Sequence, residues 1–90
     1  MIEQHENLCR LSGDVTLDTV PDLLEKIRPL IRAGVDSLDC SGVAGVDSSA
    51  LGLILACKRE AMAQHKSLKF AGLPPSILSL ASLYGVADQL

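Results

Sequence analysis

Aromatic side chains are nearly absent from this chain, which has one Phe, one Tyr and no Trp. Phe70 lies in Leu68-Lys69-Phe70 and Tyr84 stands alone, so there is no platform on which the bases of a single-stranded nucleic acid could stack. Positive charge is scarce too. Eight Lys and Arg stand against eleven Asp and Glu, the formal net charge is -3, and the two signs are interspersed without a basic block. That pattern excludes the electrostatic footprint of a nucleic-acid binder. Neither a membrane-length apolar run nor an N-terminal signal pattern is present, so a cytoplasmic protein is expected, reaching a membrane only through a partner.

The reactive side chains are equally sparse. Cys9, Cys40 and Cys57 are an odd number set in apolar contexts, as reduced core thiols are, and the cysteines and histidines lack the close pairs of a structural zinc site. No metal or other cofactor is expected. Gly42-Val43-Ala44-Gly45 lacks the spacing and the lysine of a phosphate-binding loop. His5 and His65 are the only imidazoles, and a helix from Ser48 to about His65 would hold its ends about 25 Å apart, too far for a nucleophile and its base. The chain is not expected to be an enzyme. His65 at the helix C-terminus is explained by the dipole there.

What the chain does have is regular hydrophobic patterning. Residues 1–90 suit one small domain with a limited core, to which a partner can add burial. Leu8 to Ser12 alternates as a half-buried strand that Gly13-Asp14 is expected to break, and Ile2 to Gln4 can pair with it as a hairpin. Asp18 or Thr19 can cap a helix with Pro21 in its first turn and Val20, Leu23, Leu24, Ile27 and Ile31 on one face. Pro29 should bend its last turn before Ala33-Gly34 ends it. A strand over Ser37 to Ser41, a loop over Gly42 to Gly45, a helix from Ser48 and a strand over Ser67 to Ala71 follow, a right-handed parallel crossover. Ser76 or a preceding proline opens a last helix whose buried stripe is expected to be Ile77, Leu80, Ala81 and Tyr84, with Gly85 as its stop. The fold class is α/β: a mixed sheet of about four strands with helices packed on it.

The richest segment is Val46-Asp47-Ser48-Ser49-Ala50-Leu51-Gly52, a buried strand leading into a helix start. Asp47 can cap that helix by accepting a hydrogen bond from one of the amides that the first turn leaves unpaired. The serines then lie where backbone amides and the helix dipole favour added negative charge, so a phosphate on Ser49 or Ser48 would be tolerated. From Ala50 through Cys57 every residue is apolar or glycine. One sheet buries one stripe of a helix, so the other side of this one needs either flanking helices or a partner protein, with Leu51 and Leu55 as contacts.

These residues resemble the signature of the STAS domains, a family named for sulfate transporters and anti-sigma factor antagonists. Asp47, Ser48, Ser49, Ala50 and Leu51 match its Asp, hydroxyl, small residue and Leu; Leu11-Ser12-Gly13-Asp14-Val15 and Leu38-Asp39-Cys40-Ser41-Gly42-Val43 resemble the strands before it. The resemblance spans nearly the whole chain. Small size and the ending Leu80 to Asp88 are most similar to the branch that serves the Mla phospholipid ABC transporter, which maintains outer-membrane lipid asymmetry, as its cytoplasmic subunit. It implies a non-enzymatic partner of the transporter ATPase and its permease, docking through Asp47, Ser48, Ser49, Leu51 and Leu55 and held at the inner membrane by the complex. The alternative within the family is an anti-sigma factor antagonist whose partner is a serine kinase acting on Ser49. There the glycine that would follow the phosphorylated serine is replaced by Ala50. Without a partner, the apolar helix could instead drive a homodimer.

Overall fold

The computed structural model describes residues 1–90. Four strands, β1 (Ile2–His5), β2 (Leu8–Val15), β3 (Ser37–Val46) and β4 (Lys69–Ala71), form one sheet in the order β1-β2-β3-β4. β1 and β2 pair antiparallel through a tight turn at Glu6-Asn7, whereas β2 with β3 and β3 with β4 are parallel. The parallel pairs are joined by crossovers through α1 (Val20–Arg32) and α2 (Ser49–Ala63); α3 (Pro75–Leu83) and a short 3-10 turn, Ala87–Gln89, close the chain.

Strand alternation puts the helices on one side. Cys9, Leu11, Leu38 and Cys40 point into a core that also takes Leu23, Ile27 and Ile31 from α1, Leu53, Ile54 and Cys57 from α2, and Ile77 and Ala81 from α3. On the other face Glu3, Arg10 and Asp39 lie side by side across three strands, with Arg10 Nε 3.2 Å from Asp39 Oδ2. That face is solvated and charged, as one side of a partly antiparallel sheet can be. α2 packs against both α1 and α3, so the apolar run Ala50 to Cys57 is covered mainly from within, which is the flanking-helix alternative.

Three expectations need correction. Gly13-Asp14 does not end β2; Gly13 takes φ +84° and the register with β3 slips around it, but pairing continues to Val15. Gly42 to Gly45 is not a loop but the second half of β3. Close approach explains its glycines, because a Cβ at Gly42 would come 3.0 Å from the Leu11 carbonyl oxygen and one at Gly45 would come 2.9 Å from Asp14 Oδ1. Tyr84 leaves the α3 stripe: the helix has ended at Leu83 and the residue is 62% exposed.

The helix ends follow local rules. Pro21 fits the first turn of α1 and Pro29 sits inside it; Val35 N–H donates to the Leu30 carbonyl around Gly34. At the end of α2 His65 takes φ 57°, the left-handed position usually given to glycine, and Lys66 N–H closes back on the Ala61 carbonyl. Gly85 does the same for α3, with Val86 N–H on Ala81. No helix is long and apolar enough to cross a membrane.

Candidate functional site

β3 delivers its C-terminal end directly into α2, and Asp47 is the junction. One carboxylate oxygen, Oδ1, accepts the Ser49 N–H at 2.9 Å and also the Ser49 hydroxyl. The other, Oδ2, accepts the Leu17 N–H at 2.9 Å across the gap to the β2–α1 loop. Asp47 therefore accepts the first-turn amide expected of it, but from one residue before the cap position, because α2 begins at Ser49 and not at Ser48. Ser48 occupies the geometric cap position with helical φ and ψ but makes no side-chain cap. The first turn is tightened by i to i+3 bonds, Ala50 N–H to Asp47 and Leu51 N–H to Ser48.

The hydrogen bonds fix the charge state. The Ser49 hydroxyl first, and the Leu17 amide next, hold the Asp47 carboxyl below the usual carboxylate range. It stays ionised at neutral pH, a fixed negative charge beside the positive end of the α2 dipole.

A second carboxylate mirrors it. Asp14, near the end of β2, accepts the Gly45 N–H at 3.0 Å, so Asp14 braces β3 while Asp47 braces the loop after β2. Thr19 Oγ1 completes the loop by accepting the Thr16 N–H at 2.9 Å and donating to the Asp14 carbonyl at 3.0 Å.

The five expected contact residues separate in this geometry. Asp47 and Ser48 are exposed, Ser49 is half-buried, and the Ser48 hydroxyl has no hydrogen-bond partner within the domain. Leu55 is half-buried along the same helix, one turn beyond the exposed Gly52. Leu51 does not share that surface; at 5% exposure it packs in the core. His5 on β1 and His65 at the far end of α2 are not brought to Ser48. No group of three or more His, Cys, Asp or Glu side chains converges as metal ligands.

Sequence reasoning missed Leu17, the exposed neighbour of Asp47, and the roles of Asp14 and Gly45. An apolar residue among Thr16, Asp18 and Thr19 is the only local sign of the first.

Parallel crossovers on a mixed four-stranded sheet and a carboxylate-capped, serine-bearing helix start define an α/β domain of the STAS class. The chain belongs to the MlaB-type STAS domain family, whose model, described as "Mlab, STAS domain", matches residues 2–90. It is 29% identical over 90 residues to an anti-sigma-B factor antagonist of Bacillus subtilis (strain 168), an alignment covering 97% of this chain and 83% of that one. Among solved structures, the anti-sigma factor antagonist SpoIIAA in its unphosphorylated form superposes with a TM-score of 0.71 at 21% identity, covering 98% of this chain and 82% of the other. The Bacillus cell fate determinant SpoIIAA in its phosphorylated form gives 0.69 at 21% identity, over 98% and 85%. Both share the fold.

Proposed function

We propose that this chain is a non-enzymatic accessory subunit of an Mla-type phospholipid ABC transporter, docking onto the cytoplasmic ATPase through the start of α2. One observation carries the reading: the Ser48 hydroxyl stands exposed and unpaired on a helix start that the Asp47 bonds tie to the β2–α1 loop. A hydroxyl presented this way suits a hydrogen bond at the centre of a dry contact, where leaving the partner group unpaired costs roughly 1 to 3 kcal/mol. Leu55 extends the surface along the helix, while Leu51 supports it from below. The domain then acts by linkage. By binding the assembled ATPase better than its alternatives it stabilises that state, and it need not touch lipid.

The test is capture from native membranes and cytosol with the domain as bait, beside Ser48→Arg. The native sequence is expected to recover an ABC ATPase with its permease, and Ser48→Arg to recover neither while unfolding at the native temperature. Equal recovery by both would contradict the docking site.

A second reading has its own support in the relatives named as anti-sigma factor antagonists, one of them in a phosphorylated form. In it a serine kinase modifies Ser49. Phosphorylation would remove the proton that Ser49 gives to Asp47 and place about -1.5 to -2 of charge against that carboxylate, so the helix start itself would be altered. Recovery of a kinase in the same capture, with a phosphate-sized mass increase on Ser49, would favour it.

A further inference from the structure

We infer that Leu17 is the apolar anchor of the docking surface, and that Asp47 serves docking chiefly as the positioning residue that holds Leu17 in place. The inference rests on the docking reading above and names the chemistry of the partner's side of the contact: an apolar pocket rimmed by Lys or Arg.

An isolated exposed leucine is ordinary on a protein surface. Leu17, 73% exposed, differs in having its backbone tied down. Its own N–H is bound by Asp47 Oδ2 at 2.9 Å, and the turn that carries it is closed by Thr19 N–H and Val20 N–H, both donating to the Thr16 carbonyl, and by the two Thr19 Oγ1 bonds. The backbone share of the ordering cost has been met before contact, which is how preorganised anchors gain affinity. The carboxylate that holds it belongs to the helix start where Ser48 is exposed, so both lie on one continuous surface.

The surroundings specify the partner. Asp14, Asp18, Asp22 and Asp47 are all exposed around the loop and the first turn of α1. Lys26 pairs with Asp22 at 3.0 Å and offsets that carboxylate, while Asp14, Asp18 and Asp47 are in no ion pair; the Met1 amino group donates to the Ser12 carbonyl at 2.7 Å. An apolar knob flanked by Asp18 in the chain and by Asp47 through its own N–H is complementary to an apolar pocket with a basic rim, and the charges would steer encounter as well as fix register.

The test uses the full chain and the purified ATPase subunit of the transporter, with affinity measured at low and moderate salt. Leu17→Ala is expected to weaken binding about tenfold or more, with no loss of thermal stability because the side chain is exposed. Asp47→Asn keeps an oxygen to cap Ser49 but turns an amide donor toward the Leu17 N–H, so it should also weaken binding. In a Leu17→Ala background it should cost much less than in the native chain, a non-additivity that a purely structural cap would not produce. Native binding should weaken as salt rises. If Leu17→Ala binds within about twofold of native while Ser48→Arg does not bind, the docking reading stands and the Leu17 inference falls. If the native chain itself fails to bind, both fall.

Discussion

Asp47 shows how much one carboxylate can do when each oxygen has its own task. Oδ1 closes the first turn of α2 through both the amide and the hydroxyl of Ser49, and Oδ2 reaches the backbone of Leu17. The hydroxyl is the largest cause of the lowered pKa, which makes the arrangement testable in solution. Ser49→Ala should raise the Asp47 pKa toward the unperturbed value of about 3.9, read from the side-chain carboxyl 13C shift against pH. The sign follows from linkage. A depressed folded-state pKa contributes stability that is present above the unfolded value and lost as pH falls through the folded one, so Ser49→Ala should narrow the acid resistance of the fold at that end. An unchanged Asp47 titration would remove the hydroxyl from the cap. The same direction holds at Asp39, where the Ser41 amide leads and Arg10 adds, and at Glu60, led by Arg32. Those two are surface pairs whose contribution to stability is small.

At the scale of elements, glycine separates positions that need space from positions that need only a backbone angle. A Cβ at Gly72, φ +65°, would lie 2.7 Å from the Ser41 nitrogen and 2.8 Å from its Cα, with backbone that cannot step aside; Gly34, φ +126°, faces open space. Gly72→Ala should therefore destabilise the fold by about 2 kcal/mol or more, and Gly34→Ala by about 1 kcal/mol, strain without collision. Urea denaturation of the two variants gives the order, and an equal loss would mean that the chain can part at Gly72. The same distinction explains how far the sequence could be followed. The i, i+3, i+4 spacing of Leu23, Ile27 and Ile31 places α1, and alternation places the cores of β2 and β3, because those signals are local. The Asp47 cap is legible for the same reason, acting only two residues on. Strand ends are not, since β2 continues past Gly13 and β3 through Gly45 only because each supplies the other's hydrogen bonds. The Asp47 to Leu17 brace escapes sequence reading on the same ground, as no period links residues so far apart.

For the whole molecule, the three thiols report whether the layers hold together. Cys9 comes from β2, Cys40 from β3 and Cys57 from α2, and none is more than 3% exposed. Burial raises the Cys9 thiol, pushes Cys40 up to about 11 and pushes Cys57 up to about 12, with further thiolate formation in the cluster disfavoured by its neighbours. Since the thiolate is the reactive species, all three should resist a disulfide-exchange reagent at pH 8 in the native protein and react together in denaturant. A single fast-reacting thiol in native buffer would mean that one layer opens by itself. Alkali adds an independent check with a definite sign. Between the unfolded thiol pKa of about 8.5 and the raised native values, the unfolded chain binds fewer protons than the native one, so stability must fall as pH rises through that window. Cys57→Ala, which removes the most strongly raised thiol, should unfold more readily at neutral pH because it loses core volume, yet its stability should decline less steeply above pH 8.5 than that of the native chain. A native-like alkaline slope in that variant would show that some other group carries the proton.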